Sequence, residues 1–220
     1  MLKYIKKLLC FLIVTFLFIN TKALELDIHS ENAILFNEND NQILYEKNPD
    51  KKSQIASLTK IMTALITLEN VNDLDQKVTI ISQDLQGLAE ENLVTAGFKA
   101  GETLTYRDLL YGLLLPSGAD SAKALARLVG QTETNFVTLM NKKVQELKLK
   151  NTHFDNPIGL DSLDNYSTAT EMATIFKEAL KNADFKKIIS TKTYKTSNGK
   201  HTLKSSIVQR DGMDYLIGGK

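Results

Sequence analysis

The segment from Ser57 to about Glu69 constrains the fold most, because it is apolar nearly all round. This pattern predicts an α-helix that is buried on every side, so the rest of the domain has to pack around it. A buried helix that begins with a serine and a lysine is unusual, because an interior lysine needs a partner or a function. The start of this helix is therefore the first candidate site.

Ser57 and Lys60 are three residues apart, which places both side chains on one face of a helix. The Lys60 amine could then take the proton of the Ser57 hydroxyl, provided that its pKa is lowered by burial or by a second cation. A simpler interpretation is also open, in which Ser57 caps the helix and Lys60 is a solvated surface residue. Four residues alone do not decide between the two.

The N-terminus has the pattern of a secretory signal peptide. Three lysines (Lys3, Lys6 and Lys7) precede a predominantly apolar run over residues 8–19, and small residues follow at positions 21–23. We expect cleavage after Ala23, which would leave residues 24–220 as the exported chain. An uncleaved anchor is the alternative, but the apolar run is too short to span a bilayer comfortably.

Composition excludes several classes of function. Loss of residues 1–23 removes four lysines and no acid, so the net charge falls from +1 to −3, with only three arginines in the chain. This balance gives no support for nucleic-acid binding. The three histidines are scattered without metal-ligand spacing, so no metal and no cofactor is predicted. The single cysteine, Cys10, lies in the predicted signal, so the exported chain must rely on its core rather than on disulfides.

The remaining elements predict an α/β (α+β) domain. The first is a β-hairpin with strands Ala33–Phe36 and Ile43–Tyr45. A strand is predicted at 77–81, an irregular stretch at 82–101, and helices at 106–115, 120–129, 134–149 and 170–181. Thr105 and Asp108 have the spacing of a capping box. Residues 184–220 are predicted to form short strands and turns, with a hairpin turn at Asn198-Gly199.

Two further short motifs have a structural and a functional interpretation. Ser117-Gly118 lies in a loop between two predicted helices, where Asp120 is a good candidate for a helix cap. Gly218-Gly219-Lys220 follows an apolar strand, which would let the backbone approach a ligand beside a cation. Either motif alone is more simply a helix boundary or an edge strand.

Together these motifs resemble those of the serine-type D-alanyl-D-alanine carboxypeptidases, which are low-molecular-mass penicillin-binding proteins. The family motifs are Ser-x-x-Lys, Ser-x-Asn and Lys-Thr-Gly, and Ser57-Leu58-Thr59-Lys60 matches the first in full. The resemblance runs from about Ile28 to Lys220. It also includes these phrases: Val94-Thr95-Ala96-Gly97, Lys99-Ala100-Gly101-Glu102, residues 108–118, residues 154–160 and Tyr166-Ser167-Thr168-Ala169.

The resemblance implies a DD-peptidase/β-lactamase-like fold over residues 24–220, with an antiparallel sheet from both chain ends and a helical subdomain. It implies that Ser57 is the nucleophile, Lys60 its base and Ser117 a proton donor to the leaving amine. Lys220 would bind the terminal carboxylate of the substrate. That substrate would be a peptidoglycan stem peptide ending in D-Ala-D-Ala, and β-lactams would acylate Ser57. The location implied is the periplasm or cell envelope.

Two departures from the family pattern keep alternatives open. Ala119 stands where the second motif has asparagine, and the sequence stops at the lysine of the third motif. We therefore expect the last sheet strands, and an amphipathic membrane anchor of the kind many members carry, to lie beyond Lys220. One alternative function is a non-catalytic penicillin- or wall-binding homologue. A class A β-lactamase is less well supported, because the Ser-Asp-Asn motif is lacking.

Overall fold

The computed structural model describes residues 28–37 and 39–207. The chain divides into two compact units, the first ending at Lys47 and the second beginning at Asn48. The predicted signal peptide, the predicted strand at 215–217 and Lys220 all lie outside the described residues.

The first unit contains the predicted N-terminal hairpin. Strand β1 (Ala33–Phe36) pairs antiparallel with strand β2 (Ile43–Lys47), with an irregularity in register between Leu35 and Phe36. The intervening turn is closed by the Asn37 amide, which donates to the Gln42 carbonyl at 2.9 Å. The prediction of this hairpin is confirmed.

The second unit contains the helices. In the part of the chain that the structure describes they are α1 (Thr59–Asn70), α2 (Tyr106–Leu114), α3 (Ala119–Gly130), α4 (Glu133–Glu146), α5 (Ala169–Leu180) and α6 (Ala183–Ile189). Two short 3₁₀ helices occur at Ala56–Leu58 and Ser82–Leu85. Within the same residues, none of the helices is both long and apolar enough to cross a membrane.

The strands of the second unit form short antiparallel pairs. They are β3 (Ser53–Gln54) with β6 (Tyr166–Ser167), β4 (Lys77–Thr79) with β5 (Thr103–Thr105), and β7 (Thr193–Lys195) with β8 (Thr202–Lys204). The β3–β6 pair joins the segment before α1 to a segment more than a hundred residues later. The hairpin of β7 and β8 around Asn198-Gly199 was predicted and is confirmed, whereas strands β3, β5 and β6 were not predicted.

Helix α1 is the centre of the second unit. Every residue from Thr59 to Thr67 is buried, and the helix packs against α2, α3, α4 and α5. The prediction of a helix buried on every side is confirmed, and the interpretation of Lys60 as a solvated surface residue is wrong. The polar side chains of this helix find acceptors inside the unit, as when Thr63 Oγ1 donates to the Pro157 carbonyl at 2.7 Å.

One segment differs from its prediction. Residues 184–189 were expected to belong to strands and turns, but they form helix α6. The Asn182 side chain caps this helix by accepting from the amides of Asp184 and Phe185. Phe185, Ile188 and Ile189 are buried at helical spacing. Packing of this one face stabilises a helix in place of the predicted strands and turns.

The buried carboxylate of Asp108 joins α2 to the C-terminal hairpin. It forms the predicted capping box with Thr105, and it also accepts from the Tyr194 hydroxyl at 2.9 Å and from the amide and hydroxyl of Ser197. Burial opposes the charge, but the hydrogen bonds from Ser197, Thr105 and Tyr194 outweigh it and hold the pKa of Asp108 below its ordinary value.

Replacing Asp108 by asparagine should therefore lower the free energy of unfolding by about 1–3 kcal/mol near neutral pH, because a buried acceptor is replaced by a group with unmatched donors. Since the folded-state pKa is depressed, this stabilisation is present above the unfolded pKa of about 3.9 and is lost as the pH falls through the folded value. Denaturant unfolding between pH 6 and 3 should show the difference between the two proteins shrinking. Asp75→Asn, which removes an exposed ion pair with Arg107, should destabilise the protein much less, because solvent screens that pair.

Candidate active site

Ser57 lies in the 3₁₀ turn that leads into α1. The turn is closed by the Leu58 amide, which donates to the Ile55 carbonyl at 3.0 Å. Ser57 itself is exposed, whereas Thr59 and Lys60 immediately after it are buried. The boundary between turn and helix thus places a hydroxyl at the surface and an amine beneath it.

The Lys60 amine lies 3.2 Å from Ser57 Oγ and donates to the Ile158 carbonyl at 2.6 Å. Its side chain is almost completely enclosed, with the residue only 3% exposed. Burial lowers the pKa of Lys60 to about 8, although the carboxylate of Asp120 opposes this shift. A substantial fraction of the amine is therefore neutral at mildly alkaline pH, as a proton acceptor must be.

Ser117 follows α2 and brings a second hydroxyl to the same place. Its Oγ lies 3.1 Å from Ser57 Oγ, although the two residues are 60 positions apart in the chain. Ser117 adopts a left-handed backbone conformation with φ of 69°, which is unusual for a residue other than glycine and is held only by the surrounding packing. Helices α2 and α3 thus fix a strained serine beside the exposed one.

Asp120 does not have the role of helix cap suggested by its position. Gly118 is the capping residue, and Asp120 lies in the first turn of α3. Its buried carboxylate accepts from the backbone amides of Ala96, Gly97 and Phe98 at 2.9 to 3.1 Å. Asp120 therefore attaches the 96–98 segment to the helix that follows Ser117.

Ala119 occupies the third position of the second motif and is buried, with 1% exposure. Its backbone amide donates to the Val94 carbonyl at 2.8 Å. The methyl group offers no hydrogen bond at the point where the family motif has a carboxamide.

The turn over residues 156–160, here called the 156–160 turn, forms the other wall of the site. These residues belong to one of the phrases that carry the family resemblance, but the sequence indicated no role for them. Its Ile158 carbonyl contacts Lys60, and Gly159 packs against the backbone of Ala56. Because these are backbone contacts, no side-chain chemistry in the sequence indicated them.

Asn165 is a second residue that the sequence did not single out. Its amide nitrogen donates to Thr59 Oγ1 at 3.1 Å, inside the Ser57–Lys60 motif, and the residue is 1% exposed. The structure brings the side chains of Ser57, Lys60 and Ser117 together, and their catalytic roles stay predictions. Lys220 lies outside the described residues, and its place in the site stays a prediction.

The fold is similar to that of a DD-transpeptidase and of a penicillin-binding protein of known structure. The crystal structure of a Streptomyces DD-transpeptidase is similar to this chain with a TM-score of 0.76 and 35% sequence identity, covering 84% of this chain and 77% of that one. Penicillin-binding protein 6B from Escherichia coli is similar with a TM-score of 0.75 and 27% identity, covering 85% of this chain and 61% of that one.

Residues 19–215 match the family model for D-alanyl-D-alanine carboxypeptidase, and the chain belongs to that family. The D-alanyl-D-alanine carboxypeptidase DacF of Bacillus subtilis is 35% identical over 76% of this chain and 43% of its own length. A D-alanyl-D-alanine carboxypeptidase of a Streptomyces species is 39% identical over 69% of this chain and 54% of its own length. The chain thus spans about half the length of these curated relatives.

Proposed function

We propose that this protein is a serine-type D-Ala-D-Ala carboxypeptidase that removes the terminal D-alanine of peptidoglycan stem peptides. The observation that carries the proposal is the contact between a desolvated Lys60 amine and the exposed Ser57 hydroxyl. A solvated lysine would be protonated and unable to activate a serine, whereas this amine is buried and its pKa is lowered. Family membership supplies the substrate class.

In the proposed reaction, Ser57 Oγ attacks the carbonyl carbon between the two D-alanines while Lys60 Nζ accepts the hydroxyl proton. The resulting oxyanion is stabilised by backbone N–H groups, of which the Ser57 amide is one candidate. Collapse of the tetrahedral intermediate breaks the peptide bond and leaves an ester on Ser57.

The departing amine needs a proton as the peptide bond breaks. In this proposal the Ser117 hydroxyl passes that proton from Lys60 to D-alanine, and its position 3.1 Å from Ser57 Oγ supports the role. Water then attacks the ester while Lys60 accepts a proton from it, and Lys60 returns that proton to Ser57 Oγ as the ester bond breaks, which restores the neutral amine and the free hydroxyl. The role of Lys220, binding the terminal carboxylate, rests on the family resemblance alone, and β-lactams would react by the same acylation step.

A second candidate function is a wall- or penicillin-binding protein with impaired turnover. The buried methyl group of Ala119 favours it, because this side chain offers neither the substrate nor Lys60 a hydrogen bond. Such a protein would bind the same ligands but release D-alanine slowly or not at all.

We also propose that residues 1–23 are an export signal and that the catalytic domain covers 24–220, acting in the cell envelope. The lysines and apolar run of this segment support the proposal. N-terminal sequencing of the exported protein should begin at Leu24. Attachment to the membrane is a prediction from the family resemblance.

The experiment that tests the proposed function is incubation with a fluorescent penicillin, followed by intact mass and peptide mapping. We expect one adduct, on Ser57, which is absent in Ser57→Ala. A stem pentapeptide assay should then show release of D-alanine by the wild type and none by the variant. The protein should be expressed from its complete native gene.

Each other result has a distinct meaning. An adduct on Ser57 without release of D-alanine would favour the impaired binding protein. Rapid hydrolysis of the penicillin would favour a β-lactamase, and a folded protein without any adduct would contradict acylation at Ser57.

A further inference from the structure

The 156–160 turn makes the closest polar contact of the Lys60 amine. The distance from Nζ to the Ile158 carbonyl is 2.6 Å, compared with 3.2 Å to Ser57 Oγ. The same turn touches the motif at two other places. Thr63 Oγ1 donates to the Pro157 carbonyl at 2.7 Å, and Gly159 packs against Ala56. The turn therefore contacts residues on both sides of the reacting pair.

The geometry of this turn is set by the side chain of Asn156. Its Oδ1 accepts from three successive backbone amides, those of Ile158, Gly159 and Leu160, at 3.1, 2.7 and 3.0 Å. Its Nδ2 donates to Asp155 Oδ1 and, at 3.3 Å, to the Leu160 carbonyl. Asn156 is 7% exposed, so these bonds form away from bulk water and fix the direction of the peptide groups between them.

The direction of the Ile158 carbonyl matters because a lysine amine rotates freely about its last bond. A neutral amine has two N–H donors and one lone pair, and only the lone pair can accept the serine proton. When one N–H is donated to a fixed carbonyl, that rotation is restricted and the lone pair is free to face Ser57 Oγ. A displaced carbonyl would leave the amine close to the serine but wrongly oriented.

We propose that Asn156 is a positioning residue for Lys60, which holds the Ile158 carbonyl against the amine and so orients the amine toward Ser57. The inference rests on the proposed acylation of Ser57 and adds to it a residue whose side chain bonds to residues 155–160. Asn156 acts only through the backbone of its own turn.

The first test compares the acylation rate constant at saturating fluorescent penicillin in wild type, Asn156→Ala and Asn141→Ala. We expect Asn156→Ala to lower this rate constant by about 10- to 100-fold, as a misplacement of about 1 Å does, with the dissociation constant for the penicillin changed less than threefold. Asn141 is the matched control, because its side chain also holds backbone, bonding both the amide and the carbonyl of Phe154. Its replacement should lower thermal stability without this loss of rate.

The second test distinguishes action through Lys60 from general damage. In a Lys60→Met background, where no amine remains to be oriented, Asn156→Ala should cause no further loss in the slow residual acylation measured by intact mass over hours. A full additional loss in that background would overturn the proposal, since independent effects add. Equal rates in Asn156→Ala and Asn141→Ala would also overturn it.

Asn156→Ser covers the case in which the alanine variant does not fold. The shorter serine hydroxyl can accept from the same amides in a weaker turn. The acylation rate constant of Asn156→Ser should therefore lie between those of wild type and Asn156→Ala. If Asn156→Ala does not fold, Asn156→Ser alone should acylate more slowly than wild type. A serine variant with the rate of Asn141→Ala would contradict the inference. Failure of the wild type to acylate Ser57 would instead contradict the proposed function, which separates the two conclusions.

Discussion

Replacing Lys60 by methionine is expected to lower the rate of Ser57 acylation by about 10²- to 10⁴-fold, the usual contribution of a general base. The methionine side chain is unbranched and apolar and only one atom shorter, but it lacks the proton acceptor. Stopped-flow or gel-based acylation with a fluorescent penicillin measures the change. The change relieves the desolvation of the amine but leaves the Ile158 carbonyl without this donor, so the free energy of unfolding should change by less than about 3 kcal/mol.

The pH dependence gives a sharper form of this prediction. Only the neutral amine can accept the serine proton. The wild-type acylation rate should therefore rise with pH and level off, with the midpoint of the rise near the lowered pKa of about 8. In Lys60→Met this rise should be absent. Lys123→Met is a matched control, since Lys123 lies on α3 and donates to the Gln86 carbonyl, and its acylation profile should match the wild type. A midpoint close to 10 in the wild type would contradict the buried-base interpretation.

Replacing Gly159 by alanine is expected to have the largest effect on stability. A Cβ at this position would lie 2.0 Å from the Ala56 carbonyl oxygen and 3.1 Å from the Ser57 amide, and φ is +89°. Overpacking of a rigid site costs about 1–3 kcal/mol, and the left-handed conformation adds about 1–2 kcal/mol for a residue with a Cβ. We expect a loss of about 2–5 kcal/mol in the free energy of unfolding, together with loss of acylation because Ser57 is displaced.

Gly101→Ala is the control that separates these two costs. Gly101 has a similar φ of +84°, but nothing lies within 4 Å of the added methyl group. It should therefore lose only the conformational part, about 1–2 kcal/mol, and keep its rate of acylation. Equal losses in the two variants, measured by denaturant unfolding, would show that the contact with Ala56 is unimportant.

Much of the fold followed from local patterns. The buried helix α1 was visible in its continuous apolar face, the N-terminal hairpin in its two strands and polar turn, and the start of α2 in the Thr105–Asp108 capping box. Helix α6 was missed because the Asn182 cap and the helical spacing of Phe185, Ile188 and Ile189 extend over only seven residues, which is too short for a clear helical pattern. Short amphipathic segments of this kind take their structure from packing.

The same distinction between local sequence patterns and tertiary packing applies to the candidate site. The sequence by itself indicated the candidate pair, because a spacing of three residues can bring Lys60 to Ser57, and the two side chains lie 3.2 Å apart even though Ser57 is in the 3₁₀ turn before α1. Motif resemblance added Ser117, and the structure places it 3.1 Å from Ser57 Oγ. The sequence suggested Asp120 as a helix cap. It did not indicate that the Asp120 carboxylate would instead accept hydrogen bonds from the 96–98 segment.

Only the tertiary structure decided the surroundings of Lys60 on which its proposed role as a base depends. Desolvation of Lys60 comes from helices packed around α1, and the orientation of its amine comes from a carbonyl 98 residues further along the chain. Backbone carbonyls are the same in every residue, so no sequence pattern can indicate which one will face a buried amine. The chain specifies the reacting groups locally, whereas burial and long-range backbone contacts determine the protonation and direction of the amine.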